Sequence, residues 1–277
     1  MVSFPNCKIN LGLNIIRKRN DGYHDLETIF YPVQLTDALE IICQPSTVDS
    51  PQPTVNFSST GLPIHGSESD NLCVKAYYLL QQDFPDLPAI TMHLHKVIPM
   101  GAGLGGGSAD GAFALSLLND KFQLQLTQAQ LIAYALLLGS DCPFFIVNKP
   151  CFATSRGEIM QPIDLDLSAY QLVIVNPKIH ISTGWAFSNI IPQATKKSIQ
   201  TIIKQPIESW KNELVNDFQM PAIQAYPAIV EAINILYQQG AVYSAMTGSG
   251  STVFGLFTKG VIPKLSFPEH YFVFTSK

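Results

Sequence analysis

The stretch Pro99–Ala112, PMGAGLGGGSADGA, places six glycines in fourteen residues. Glycine loses more conformational entropy on folding than any other residue, so such a concentration needs a reason. Backbone N–H groups left uncovered by side chains can converge on an anion, and the start of a helix adds a positive dipole. Phosphate binding suits this composition; a surface turn is the plain alternative. Two ionisable residues elsewhere could act on a bound phosphoryl group. Asp141 stands in GSDCPFF (139–145), an otherwise apolar stretch where a carboxylate is costly unless used or paired. Capping the segment ahead of Pro143 is its structural alternative. Lys8 shares the polar face of a strand with Asn10, where it could offset developing charge or simply lie in solvent.

The loop fails two familiar patterns and half-matches a third. A P-loop requires G-x-x-x-x-G-K-[ST], but Gly107 occupies the lysine position. Gly101, Gly103 and Gly106 satisfy G-x-G-x-x-G, yet the acidic residue that a dinucleotide fold wants after a second strand is missing, because Asp120 lies in a helical stretch. A protein-kinase loop leads into a strand rather than a helix, and neither H-R-D nor D-F-G occurs. His93 and His95 share a strand face and would make half a metal site; with no further ligand nearby they read as ordinary histidines, so no protein metal site is expected.

The elements that must position these residues are legible as patterns. Residues 7–15 alternate, with Ile9, Leu11, Leu13 and Ile15 on one side and Lys8, Asn10, Gly12 and Asn14 on the other, which predicts a half-buried strand. NDGYHD (20–25) is a turn, and strands follow over 26–33 and 38–44. Residues 45–69 are rich in Ser, Pro, Thr and Gly around a short strand, TVNF (54–57). A helix over 69–84 is expected with Ser69 or Asp70 as its cap, then an alternating strand over 89–99. Ser108 is placed to cap a helix over 109–122. Thr127 and Gln130 form a capping box for a helix that stops at Gly139. Strands near 151, 170–177, 242–246, 252–258 and 270–275, with helices between about 183 and 239, complete an α+β chain with a seam near residue 155.

Composition bounds the function. The 277 residues carry 14% charged side chains and a net charge of −4, which argues against nucleic-acid polymers and anionic membranes as partners. The Arg17-Lys18-Arg19 triplet is a local exception of the kind found in solvated turns. The five scattered cysteines lack a C-x-x-C pair and suit reduced thiols in the cytoplasm. No apolar run is long enough to span a bilayer, and none at the N-terminus suits a signal peptide.

PMGAGLGGGSADGA resembles the P-x-x-x-G-L-G-S/G-S-S/A-A signature of the GHMP small-molecule kinases. NCKINLGLNI (6–15) is similar to the family's amino-terminal motif, and MTGSGSTVFGLF (246–257) to its carboxy-terminal Gly-rich motif. KRNDGYHDLETIF, ESDNL (68–72) and LGSDCPFF (138–145) resemble the branch that acts on a cytidylyl-bearing alcohol. Gly111, where Ala is usual, and Cys7 ahead of the lysine are modest departures.

The resemblance implies a two-domain α+β fold: an N-terminal half like ribosomal protein S5 domain 2 over 1–154, which binds ATP, and a ferredoxin-like C-terminal half over 155–277, with the site between them. It implies ATP-dependent phosphorylation of the 2-hydroxyl of 4-diphosphocytidyl-2-C-methyl-D-erythritol, in the non-mevalonate isoprenoid route. Asp141 would act as base beside Lys8. Asn71, Leu72, Lys96 and Met100 would line the adenine site; Gly101, Gly103, Gly105, Gly106, Gly107 and Ser108 would take the phosphates, and Mg²⁺ would ride mainly on phosphates and water. Cytosine would lie between Tyr23 and Phe187 with His24 on its edge, and Asn10 and Thr183 would bind the substrate elsewhere. Without the resemblance, Tyr23 and Phe187 read as core aromatics. The chain would be a monomer or a homodimer with small-molecule partners. A kinase for mevalonate or homoserine, or a nucleotide-binding regulator without catalysis, are the rival readings.

Overall fold

The alternation around Lys8 is realised as one long strand in the computed structural model, which describes residues 1–44, 54–193, 197–261 and 263–276. In chain order the elements begin with β1 (Val2–Ser3), β2 (Asn6–Lys18), β3 (His24–Thr36), β4 (Ala38–Cys43), β5 (Val55–Gly61), α1 (Leu72–Asp83), β6 (Ile90–Lys96) and α2 (Gly106–Phe122). There follow α3 (Gln128–Leu138), α4 (Cys142–Val147), β7 (Cys151–Ser155), β8 (Ile159–Pro162), β9 (Tyr170–Asn176) and α5 (Thr183–Ser188). The remainder comprises α6 (Ile199–Ile202), α7 (Trp210–Glu213), α8 (Gln219–Ala225), α9 (Pro227–Gln238), β10 (Tyr243–Met246), β11 (Val253–Thr258) and β12 (Phe272–Thr275).

Two compact units result, and neither is one continuous stretch of chain. The first collects residues 1–7, 33–100 and 105–149; the second collects 8–32, 101–104 and 150–277. The first unit has a sheet in the order β1-β4-β6-β5, antiparallel except where β5 runs parallel to β6. On β6, Ile90, Met92 and Leu94 are buried while His93 and His95 face the other side, hydrogen-bonded to Ser58 and Thr60 of β5. Helices α1 and α2 pack closely: a Cβ at Gly111 would lie 2.8 Å from Leu72 Cβ.

In the second unit, β11 and β9 are the inner strands of an antiparallel sheet ordered β10-β11-β9-β12. Counted in chain order this is the ferredoxin-like arrangement 4-1-3-2. Helix α9 buries Ile229, Ala232, Ile233 and Leu236, the spacing of one helical face, against Val173, Val175 and Phe257. Between β11 and β12 no helix occurs among the described residues.

Three expectations need correction, and one strand is unannounced by the sequence. The polar face of β2 is not exposed: Lys8, Asn10 and Asn14 are each 5% exposed or less, with Lys8 bonded to Asn10 and Asn10 to Thr28. The cap of α1 is Asn71, whose Oδ1 accepts from Cys73 N at 2.9 Å, since Glu68–Asp70 already form a separate turn. Helix α2 starts at Gly106 behind a left-handed Gly105, so Ser108 lies inside the first turn instead of capping it. Strand β8, which lacks an alternating pattern, pairs with β7. The capping box of Thr127 and Gln130 forms as expected, and α3 ends at Gly139. The Ser/Pro-rich run over 45–53 lies outside the described residues.

Candidate functional site

The glycines of the loop divide by physical role. Gly103 adopts φ +78°, and a Cβ on it would lie 2.2 Å from the carbonyl oxygen of Thr247; a Cβ on Gly248 would lie 2.9 Å from Gly103 Cα. The first glycine motif is thus laid backbone to backbone on the C-terminal one. Asn216 holds that second motif, donating from Nδ2 to the carbonyls of Met246 (2.8 Å) and Gly248 (2.9 Å). Gly106 is hemmed in as well, with Ile98 Cγ2 2.8 Å from where its Cβ would be. Gly107 faces open space. It sits in the first turn of the 17-residue α2, whose leading N–H groups have no partner within the helix. A backbone left uncovered at a helix start can accept a phosphate at close range.

Lys8 is fixed by a directional row of buried groups. Its ammonium donates to Asn10 Oδ1 (2.5 Å), Asn10 Nδ2 donates to Thr28 Oγ1 (2.9 Å), and Thr28 Oγ1 donates to the Gly12 carbonyl (2.6 Å). Thr247 Oγ1 accepts from the Asn10 amide N–H at 2.9 Å. The ammonium also lies 3.5 Å from the Gly103 carbonyl and 5.0 Å from the centre of the Phe30 ring. The Lys8 amide donates to the Leu104 carbonyl at 2.9 Å, which ties the strand to the loop. Asn10 therefore positions Lys8 first; one N–H of its amide is left for a ligand. Nothing in the sequence pattern marks Thr28, Thr247 or Asn216, since a strand threonine or a loop asparagine is common for purely local reasons.

Asp141 belongs to the first unit and Lys8 to the second. The carboxylate, half-buried, stands at the N-cap position of α4 but makes no capping hydrogen bond, so capping does not account for it. Beside it Cys142 is buried, and burial pushes its thiol up to about 12 despite a hydrogen bond with Ser108.

The rings expected to meet a base, Tyr23 and Phe187, are each paired with another side chain. His24, not Tyr23, stacks on Phe187, with centroids 4.5 Å apart and planes 20° apart, while Phe187 meets Phe218 edge-on at 4.9 Å. Tyr23 is 53% exposed and carries the Arg156 guanidinium over its ring at 4.7 Å. Each ring already has a flat partner, which leaves a base to stack in exchange for one of them. Burial, helped by the charge of Lys18, lowers the His24 pKa and favours the neutral imidazole, which can both donate and accept. Thr183 opens α5 and is exposed.

Among the adenine-site candidates, Asn71 spends its side chain on the α1 cap and Leu72 packs beside Gly111. Met100 is 42% exposed. The Lys96 side chain is fully buried and turned to Asp37 and Asp110, so only its backbone could face a base. Among the described residues no group of three or more His, Cys, Asp or Glu side chains could hold a metal ion, and no helix is long and apolar enough to cross a membrane.

Comparison with known proteins matches residues 71–149 to the GHMP kinases N terminal domain and 198–265 to the GHMP kinases C terminal domain. The chain is 54% identical to the 4-diphosphocytidyl-2-C-methyl-D-erythritol kinase of Bacteroides fragilis over 258 residues, covering 93% of this chain and 92% of that one. It is 50% identical to the protein of that name from Bacteroides thetaiotaomicron over the full length of both. A crystal structure of 4-(cytidine 5'-diphospho)-2C-methyl-D-erythritol kinase superposes with a TM-score of 0.78 at 28% identity, covering 92% of this chain and 90% of that one. A mevalonate kinase from Methanococcus jannaschii shares the fold at 12% identity and a TM-score of 0.68, covering 99% and 97% of the two chains.

Proposed function

The chain belongs to the GHMP kinases, in the family of 4-diphosphocytidyl-2-C-methyl-D-erythritol kinases, and from that premise we propose that it transfers the γ-phosphoryl group of ATP to the 2-hydroxyl of that cytidylyl alcohol. The observation that carries the reading is the placement of Lys8: a buried ammonium held against the carbonyl of Gly103 in the glycine loop. Asp141 takes the hydroxyl proton as the oxygen attacks phosphorus, and ADP leaves. Lys8 offsets the charge that develops on the transferred group.

ATP phosphates fit the uncovered start of α2 at Gly107 and Ser108. The donor set there is amide N–H, suited to an anion and not to a cation. Mg²⁺ would therefore be held through phosphates and water, where it neutralises charge. Tyr23, His24 and Phe187 select the cytosine, Arg156 exchanging its place on Tyr23 for the base. Asn10 and Thr183 reach the rest of the substrate, and Asn71, Leu72, Lys96 and Met100 border the adenine, Lys96 through its backbone.

The test is an ADP-release assay with the cytidylyl alcohol, mevalonate and homoserine offered separately. Turnover with the first alone is expected; turnover with mevalonate alone would assign a different acceptor, and turnover with none would leave a nucleotide binder. In the same assay Asp141→Asn should lower kcat by a factor on the order of 10²–10⁴, the usual worth of a positioned base. ATP affinity measured by calorimetry should persist. Near-normal turnover of that variant would remove Asp141 as the base.

A further inference from the structure

Beneath the glycine loop lies a charged cluster that the proposed chemistry does not use. Lys96, Asp37 and Asp110 are 1%, 1% and 3% exposed. Asp37, between β3 and β4, accepts at Oδ1 from the amides of Val97 (2.5 Å) and Ile98 (2.9 Å), the residues leading from β6 into the loop. Its Oδ2 accepts from the Lys96 ammonium, which also donates to Asp110 Oδ2 at 2.7 Å. Asp110 is on α2, just after the loop. One ammonium thus ties the chain entering the loop to the helix leaving it. Gly106 completes the fit, since a Cβ there would lie 3.1 Å from Lys96 Nζ.

Stability does not account for such a cluster. Taking three ionisable groups out of water costs more than packing apolar side chains of similar volume, so a geometric role is the better explanation. The charge count matters too. Two carboxylates and one ammonium would leave a net negative charge beneath the helix start that the phosphates approach; one proton on Asp110 makes the cluster neutral. Burial, reinforced by Asp37 and opposed by Lys96, pushes the Asp110 carboxyl up to about 7, and its Oδ1 has no hydrogen-bond partner to support a charge. Lys96 stays protonated: burial opposes the charge, but Asp110 and Asp37 outweigh it.

The other groups packed around α2 do not compete for that proton. From α1 comes Cys73, whose thiol burial holds well above its usual range; from α4 comes Cys142, engaged with Ser108. Tyr134 of α3 is spent at the surface on Asp83 at 2.6 Å.

We propose that Lys96, Asp37 and Asp110 are positioning residues for the nucleotide, setting the loop that receives the ATP phosphates, and that they do so as a neutral cluster. The inference rests on the reading of the loop as the ATP site. Its test is calorimetry of the intact chain with ATP alone, together with the KM for ATP and for the cytidylyl alcohol across pH. Lys96→Met should weaken ATP binding by about tenfold or more, because a small misplacement of a binding group is costly. The KM for the alcohol should move by less than about twofold. In the unsubstituted chain the ATP Kd should rise by about fivefold from pH 6 to pH 8.5 as the cluster gains one negative charge. Asp110→Asn, which keeps a donor towards Asp37 and cannot ionise, should flatten that rise.

A Lys96→Met protein that unfolds at lower temperature but binds ATP as before would overturn the positioning role. A pH response unchanged by Asp110→Asn would overturn the neutral cluster, and this near-isosteric variant carries the test if Lys96→Met does not fold. Calorimetry needs no acceptor, so phosphorylation of a different alcohol would count against the proposed function and leave the cluster tested. An unsubstituted chain that failed to bind ATP would overturn both.

Discussion

Lys8 reaches its position through neighbours that do no chemistry, and Thr28 is the most economical place to show it. Its hydroxyl accepts from Asn10 and donates to the Gly12 carbonyl while fully buried. Thr28→Val keeps the shape but strands two buried polar groups, a loss of about 1–3 kcal/mol per unmet partner. Urea unfolding should register that loss, and kcat should fall because Asn10 no longer has a fixed orientation from which to hold Lys8. Unchanged unfolding and turnover would mean that the row does not position the lysine. At this scale the sequence marks Lys8, Asn10 and Asp141, because charged or amide groups among apolar residues stand out. It cannot mark Thr28, whose partners Asn10 and Gly12 lie 18 and 16 residues away on the neighbouring strand β2. A motif names Tyr23 and Phe187, but it does not announce that Arg156 and His24 already lie against their rings.

The loop and its helix act as one element, and the glycines within it should respond differently to the same substitution. Gly103→Ala introduces a Cβ 2.2 Å from a backbone oxygen at a positive φ. The left-handed backbone alone costs about 1–2 kcal/mol, and the collision with Thr247 adds to it. Gly107→Ala meets nothing within 4 Å. In a helix that change should raise stability by up to about 1 kcal/mol. Its new methyl group would stand where phosphates approach, so the KM for ATP should rise while the unfolding midpoint holds or increases. Equal destabilisation by both variants would show that the uncovered face of Gly107 is not a ligand face. The glycine spacing announces an anion loop but not which glycine packs and which binds. That division depends on residue 247, far along the chain. Local patterns were better guides to α3, whose capping box lies wholly within four residues, than to the start of α2, where Gly105 adopts a left-handed conformation and displaces the expected serine cap.

For the whole molecule, the pattern of elements along the chain indicates an α+β protein but not its division into units. Strands β2 and β3 each run from one unit into the other, and residues 101–104 return to the second unit in the middle of the loop. A seam sought in composition near residue 155 cannot reveal such interleaving, because two crossings lie inside strands and two within the glycine loop. The arrangement has a consequence for unfolding. Strands β2 and β3 form a further sheet with β7 and β8, and both continue into the first unit, so the chain should unfold in one step despite its length. The cysteines report this directly. Cys43 is exposed; Cys7, Cys73 and Cys142 are buried in the first unit and Cys151 in the second. Burial raises the thiols of Cys142 and Cys151 to about 12 and that of Cys73 well above its usual range, so little thiolate forms in the folded chain. A disulfide-exchange reagent should therefore titrate one thiol rapidly in the native protein. Along a urea series the reactive count should pass from one to five in a single transition coincident with loss of tertiary signal. A plateau at two, with Cys151 modified ahead of Cys7, Cys73 and Cys142, would mean that the second unit opens alone and that the shared strands do not couple the two.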